Sequence, residues 1–189
     1  PVDYNYLDWE NIGQMNLNII VGARKDADTK KGPIRFSAGS GMTPEIMGIV
    51  MLLGGPGADY NKVFKENIVW VKGMSGSERR LAFRRGDLNG TRENPAAYKK
   101  HVEPLVKDGV AYTWFHHGLL NVNTGKHEKD PNFSAPTFEE LYKKTWGQEP
   151  KGDFYDAYRL VKSWRDALQK AFWVNKGNPN KQKLIDALN

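Results

Sequence analysis

Two stretches of the chain repeat the same order: a short apolar segment, a glycine-containing loop and a helical pattern. They cover residues 34–47 and 68–90. The β-branched and aromatic residues of each apolar segment favour a buried strand, and the glycines that follow end that pattern. A strand-loop-helix unit used twice restricts the chain to folds in which helices cover a parallel or mixed sheet. The sequence therefore predicts the α/β class.

Each loop is predicted to present a helix start at the carboxyl end of a strand. Ligands of open α/β sheets bind at that edge, and a helix start leaves about four backbone N–H groups without partners inside the helix. The two loops together predict one cleft for a carboxylate or another small anion. Ordinary strand-to-helix turns, in which the serines act only as helix caps, explain the same residues without a ligand.

The residues predicted to contact the ligand are backbone and hydroxyl groups of the two loops, with a lysine that adds positive charge. The first loop contributes Ser37, Ala38, Gly39, Ser40, Gly41, Met42 and Thr43. The second loop contributes Lys72, Gly73, Met74 and Ser75. The helix after the second loop is predicted to turn Leu81, Ala82 and Phe83 inward and to leave Arg79, Arg80, Arg84 and Arg85 in solvent.

Cofactor and metal motifs do not match the sequence. The first loop has proline where a dinucleotide fingerprint has its third glycine, and it lacks the Gly-Lys-Ser/Thr ending of a nucleotide loop. The adjacent His116 and His117 point to opposite faces of a predicted strand, so they are poor joint ligands for one ion. With no cysteine in the chain, no metal site and no cofactor are predicted.

Catalytic residue types are present without a catalytic motif. Ser40, His116 and Asp87 are the types found in a hydrolytic triad, but the Gly-x-Ser-x-Gly nucleophile elbow is absent around Ser40. We therefore predict a binding protein and not an enzyme. A small α/β enzyme that acts on an anionic metabolite, with His116 or His117 as its acid or base, is the alternative.

The charge of the chain indicates an attraction for anions in general. Lys and Arg number 28 against 22 Asp and Glu, which gives a net charge of +6. The positive charges are spread along the sequence and form no basic run, so no nucleic-acid partner is predicted. No apolar run approaches the roughly 20 residues that span a bilayer.

The hydrophobic period and the turn residues predict the remaining elements. Strands are expected at residues 17–21, 34–37, 68–72 and 110–115, and residues 121–132 are expected to form a loop. Helices are expected at residues 43–53, from 75–77 onwards, and at 95–106, 137–144, 154–173 and 181–188. In the longest helix, the stripe predicted to face the core contains Phe154, Tyr158, Val161, Trp164 or Arg165, Leu168 and Phe172.

Four short motifs in order resemble the substrate-binding proteins of tripartite tricarboxylate transporters, the Bug family. They are Phe36 leading into Ala38-Gly39-Ser40-Gly41 and Pro44, then Val69 to Gly73, Leu81 to Asn89, and Pro136-Thr137-Phe138-Glu139-Glu140. The motifs span about residues 34–140. The sequence departs from the family at Met42, Thr43 and Glu45, where threonine and histidine often follow the loop, and at Val71, where tyrosine is usual.

The resemblance implies a type II periplasmic-binding-protein lobe, with a mixed sheet flanked by helices and an incomplete first lobe. It implies a linker at residues 1–16, the second ligand-binding lobe at 17–125 and a helical return to the first lobe at 126–189. It also implies that Asp87 contacts the ligand. The expected function is that of a periplasmic receptor that binds a small organic carboxylate and delivers it to membrane transporter subunits.

Overall fold

The computed structural model describes residues 6–14, 18–26, 33–38, 42–121, 123–168 and 171–188. After one 3-10 turn at Tyr6–Asp8, the strands are β1 (Trp9–Gln14), β2 (Ile20–Arg24), β3 (Ile34–Ser37), β4 (Ile68–Val71), β5 (Gly90–Glu93), β6 (Ala111–His116), β7 (Leu119–Asn121), β8 (Lys126–Glu128) and β9 (Ala171–Asn175). The helices are α1 (Pro44–Gly54), α2 (Tyr60–Asn67), α3 (Gly76–Arg85), α4 (Pro95–His101), α5 (Glu103–Lys107), α6 (Phe138–Trp146), α7 (Asp153–Leu168) and α8 (Lys181–Leu188).

The central strands form two sheets that meet at Asn89. Strand β2 pairs antiparallel with both β5 and β6, whereas β3 and β4 are parallel. The Asn89 side chain accepts a hydrogen bond from the Arg35 amide (2.7 Å) and donates one to the Pro33 carbonyl (3.1 Å). These bonds hold β3 beside β5, which gives the spatial order β4-β3-β5-β2-β6. The two sheets together make the predicted mixed sheet flanked by helices, and with it the α/β class is confirmed.

Each face of this sheet carries its own apolar core, as alternation along the strands requires. On β2, Val21 belongs to the larger core and its neighbour Ile20 to the smaller one. The larger core is built around α1, whose Ile46, Ile49 and Val50 are fully buried. It also includes side chains from α6 and α7, so these late helices are packed directly against α1.

The other strands form two antiparallel ribbons. Strands β1 and β9 pair with each other, and α8 packs on β1. Strands β7 and β8 form a hairpin directly after β6. Among the described residues, no helix is long and apolar enough to cross a membrane.

Local signals predicted several elements correctly. Strand β3 has its predicted bounds, and α1 begins after Thr43 and ends at the glycines that follow Leu53. The capping boxes Ser75/Glu78 and Thr137/Glu140 begin α3 and α6.

Elsewhere the predicted elements were wrong. Strand β2 lies three residues later than predicted, helix α2 was not predicted, and the segment predicted as a loop at 121–132 contains β8. The helix predicted to continue to residue 173 ends at Leu168, and β9 follows because its residues pair with β1. On α3, Leu81 is exposed, whereas Arg79 and Arg80 are turned to the buried carboxylate of Glu93.

Candidate functional site

The first predicted loop lies at the carboxyl end of β3 and leads into α1. Ser37 and Ala38 are buried, and the Ala38 carbonyl accepts a hydrogen bond from the Trp70 indole N–H (3.2 Å). Met42 packs against the larger core, and Thr43 is the N-cap residue of α1. The predicted contacts Gly39, Ser40 and Gly41 lie outside the described residues.

The start of the helix after the second loop is capped by side chains of the chain itself. The Ser75 amide donates to Glu78 Oε2 (2.7 Å), and Ser75 Oγ accepts from the Glu78 amide (3.3 Å). Lys72 is exposed and lies over the Trp70 ring, 4.8 Å from its centroid. Gly73 has a left-handed φ of 80°, and Met74 packs against the smaller core. The Ser75 amide is therefore engaged within the chain.

Asp87 does not lie with the two loops. It is exposed in the turn after α3, and its carbonyl accepts from Arg35 Nε (2.9 Å) near the amino end of β3. Helix α3 separates it from Ser75, and ten residues of helix span about 15 Å. The contact of Asp87 with a ligand stays a prediction, and the structure places this residue one helix length away from Ser75.

A buried ionic cluster lies next to the first loop, at the start of α1. The Glu45 carboxylate is fully buried and pairs with the Arg165 guanidinium of α7. His117 Nε2 lies 3.7 Å from Glu45 Oε1, and Arg92 Nη1 lies 4.0 Å from Oε2. Burial by itself raises the pKa of Glu45, but the positive charges of Arg165 and Arg92 outweigh it, so the pKa lies below its ordinary value. The chain's own carboxylate thus lies at this helix start.

Helix α7 brings further charged side chains to the same region. Lys162 and Asp166 are each 1% exposed. Lys162 Nζ lies 3.6 Å from Glu139 Oε1, and burial lowers its pKa to about 8. The stripe predicted to face the core was wrong in part, since Val161 and Trp164 are exposed. The sequence does indicate that these two charged residues share the buried face of α7, because Lys162 and Asp166 follow the buried Tyr158 at steps of four.

The two adjacent histidines have opposite surroundings, as predicted for neighbours on a strand. The His116 ring lies 6.0 Å from Phe133 of the smaller core, and its Nδ1 accepts from the Gly118 amide. His117 Nδ1 lies 2.8 Å from the Tyr158 hydroxyl, in the ionic cluster. Burial lowers the pKa of both rings. Among the described residues, no group of three potential metal ligands lies together.

An open cavity of about 420 Å³ lies beyond the carboxyl end of β6. Its walls come from β8, the start of α6 and one side of α7. His116 at the end of β6 forms a bridge to Thr137, and Thr137 lines the cavity. The cavity is therefore at the sheet edge where the sequence predicts ligand binding. Its polar wall residues were not among the predicted contacts.

The cavity walls carry two cationic groups without an acidic partner. Of the acidic residues in the wall, Glu140 pairs with Lys129 (3.2 Å) and Glu139 with the buried Lys162. Lys126 and Arg159 also line the cavity, and neither forms an ion pair within the described part of the chain. Their charges are available to an anion.

One wall of the cavity is linked to the ionic cluster. His127 Nε2 is 2.7 Å from Asp166 Oδ2, and the neighbouring Arg165 contacts both Asp166 and Glu45. Burial lowers the pKa of His127, although the bond to Asp166 opposes that effect. The cavity wall and the start of α1 are thus joined through one continuous set of polar contacts.

No protein-family model and no curated protein matches the chain. A TctC solute-binding protein from Polaromonas is 13% identical at a TM-score of 0.43, over 98% of this chain and 67% of that one. The substrate-binding protein of an amino acid ABC transporter is 10% identical at a TM-score of 0.40, over 100% of this chain and 59% of that one. A periplasmic binding protein from Brucella ovis with glutathione bound is 11% identical at a TM-score of 0.36, over 57% of this chain.

The chain spans 33% of the length of the Brucella protein and 59% of the length of the amino acid receptor. All three TM-scores are below 0.5, so the functional assignment depends on the geometry of the site and not on these likenesses.

Proposed function

We propose that the protein is an extracytoplasmic solute receptor that binds a small organic carboxylate and works with a tripartite tricarboxylate-type membrane transporter. The observation that carries the proposal is the open polar cavity at the sheet's carboxyl edge, with Lys126 and Arg159 free to pair with an anion. Receptor pockets commonly range from about 300 to 1,000 Å³, so the cavity has room for a small organic acid. The periplasmic location and the transporter partner follow from the motif resemblance.

The proposed binding mode combines positive charge with an aromatic wall. The Arg159 guanidinium lies over the Tyr155 ring, 6.0 Å from its centroid, and both residues line the cavity. Arginine binds carboxylates through paired hydrogen bonds, and Lys126 adds a second positive charge. Thr137 also lines the cavity, but Glu140 already caps the start of α6, so the two cations supply the attraction for the anion.

We propose that the first loop, which does not line the cavity, adds contacts to the ligand from the same edge of the sheet. Ser37, Ala38, Met42 and Thr43 lie at the same sheet edge, and the Glu45–Arg165 pair connects their helix to the cavity wall. In the proposed organisation, residues 17–125 are a ligand-binding lobe and residues 126–189 return toward the other lobe. All of the cavity's lining residues except Gly125 belong to 126–189, so in this organisation the return segment supplies most of the proposed contacts.

Isothermal titration calorimetry tests this function. The protein is titrated with dicarboxylates, tricarboxylates, aromatic acids and amino acids, at low and at high salt. We expect one class of carboxylate to bind, more weakly at high salt because both cations are near the surface. Lys126→Ala and Arg159→Ala should each weaken binding by about 10- to 100-fold, the value of a charged hydrogen bond.

Matched variants distinguish binding at the proposed site from a general attraction of anions to a basic protein. Lys99→Ala removes the same charge from the exposed surface of α4 and should leave affinity unchanged. Lys72→Ala reports whether the second loop also contacts the ligand. Absence of binding to every acid, or equal losses for Lys99→Ala and Lys126→Ala, would contradict the proposal.

The enzyme alternative depends on His116 or His117 as acid or base. Both side chains are fully buried, and neither lines the cavity. We therefore favour binding over catalysis. Turnover of an anionic metabolite that is abolished by changing either histidine would reverse this preference.

A further inference from the structure

A second cavity, of about 320 Å³, lies between the ends of α1 and α2, the middle of β6 and the last turn of α6. It shares no lining residue with the polar cavity described above. Two indoles, Trp114 and Trp146, form part of its wall together with Leu52 and Leu53. None of the lining residues carries a charge.

The Trp146 indole is held in a fixed position although 39% of the residue is exposed. Its Nε1–H donates to the Leu52 carbonyl at 3.2 Å. On one side, the ring packs on the Gly55 backbone so closely that an added Cβ would lie 2.8 Å from three ring atoms. Gly55 has a φ of 75°, a conformation that glycine adopts readily. The aromatic wall is therefore preorganised before any ligand arrives.

The polar groups of this cavity are mostly satisfied by the chain. The Thr145 hydroxyl donates to the Leu141 carbonyl (2.8 Å), and Asn67 Nδ2 donates to the Val63 carbonyl (3.0 Å). Within the described part of the chain, the Asn67 side-chain oxygen accepts no hydrogen bond and is available to a donor. An ionic ligand would lose its hydration here without gaining a partner, whereas a flat apolar ring with one N–H or O–H would lose little.

We propose that this cavity is a binding site for a small neutral aromatic molecule with one hydrogen-bond donor, held against Trp146 and bonded to Asn67. The site is separate from the proposed carboxylate cavity, so either proposal stands without the other. Indole serves as the probe because it has a flat apolar ring and a single N–H.

NMR titration with indole tests the site directly. The side-chain N–H signals of the tryptophans are recorded, and that of Trp146 is identified by its loss in Trp146→Phe. We expect indole to shift the Trp146 signal with a dissociation constant of roughly 1 mM or tighter, typical of a fragment of this size. Indole-3-acetate should bind at this signal at least tenfold more weakly, because its charge finds no cation here.

Two variants keep the test independent of folding. Trp146→Ala should weaken indole binding at least tenfold, as followed by the shift of the Trp114 side-chain N–H signal, whereas Trp164→Ala removes an exposed tryptophan from α7 and should change nothing. Thermal unfolding establishes that both variants are folded. If Trp146→Ala does not fold, Asn67→Leu replaces it and should weaken indole binding severalfold through loss of the acceptor. No shift of the Trp146 signal, equal binding of indole-3-acetate there, or equal losses in the alanine variants would overturn the proposal.

Discussion

Replacing Arg165 with methionine tests whether the buried cluster holds Glu45 as a charged group. The carboxylate is 0% exposed, and the substitution removes its closest cation. The groups that remain are His117 at 3.7 Å, which burial keeps neutral, and Arg92 at 4.0 Å. Removing one partner of a buried ion pair costs about 3–5 kcal/mol, because the other charge stays buried without compensation.

For a domain of 150–250 residues, each kcal/mol shifts the melting temperature by about 2–4 °C, so we expect a decrease of roughly 6–20 °C. Circular dichroism at pH 7 measures the melting curve, and urea denaturation gives the free energy of unfolding. Arg159→Met is the matched control. It makes the same replacement on an exposed turn of α7 and should change the free energy by no more than about 0.5 kcal/mol.

Combining Arg165→Met with Glu45→Gln should recover at least half of the lost stability, because an uncharged amide replaces the unpaired carboxylate. A loss below about 1 kcal/mol for Arg165→Met would refute the reasoning. Additive losses in the double variant would refute it as well.

The same pair predicts a loss of stability in acid. Because the pKa of Glu45 is lower in the folded protein, the unfolded chain takes up this proton more readily. The contribution is therefore complete above about pH 4.5, the ordinary pKa, and is lost as the pH falls through the lower folded value. Glu45→Gln should show a flatter decline in stability below pH 4.5 than the unchanged protein, and a parallel decline would contradict the assignment.

Three further changes test other parts of the structure. Lys162→Met should stabilise the fold by about 3 kcal/mol at pH 7, because burial lowers the pKa of the lysine from 10.5 to about 8. Urea denaturation should show this gain in stability shrinking as the pH rises from 8 to 10.5, where the folded protein binds the proton less readily than the unfolded chain. Asn89→Ala should cost about 2–4 kcal/mol by leaving two backbone groups beside β3 unpaired, whereas Asn61→Ala on exposed α2 should be neutral by the same assay. Ser75→Ala should cost about 1 kcal/mol and speed hydrogen exchange of the Glu78 amide, and unchanged exchange would argue against the capping box.

Much of the local structure could be predicted because its causes lie within a few residues. Pro44 fits the first turn of α1, where its missing N–H has no partner to lose. The serine and threonine that begin α3 and α6 each find a glutamate three residues later. The prediction of a helix at 154–173 was wrong at its end for a nonlocal reason. The last residues of that range pair with β1, which lies more than 150 residues earlier in the chain.

The sequence by itself determined the two strand-loop-helix units, their helix caps and the sheet edge at which an anion would be expected. These follow from backbone sterics, side-chain period and short-range hydrogen bonds. Only the tertiary structure decided which charges meet at that edge. Glu45 and Arg165 are 120 residues apart, and the polar cavity exists because a hairpin and α7 close around the start of α6. A charged residue on an amphipathic helix is ordinarily expected in solvent, and its burial depends on a partner that local sequence patterns do not identify.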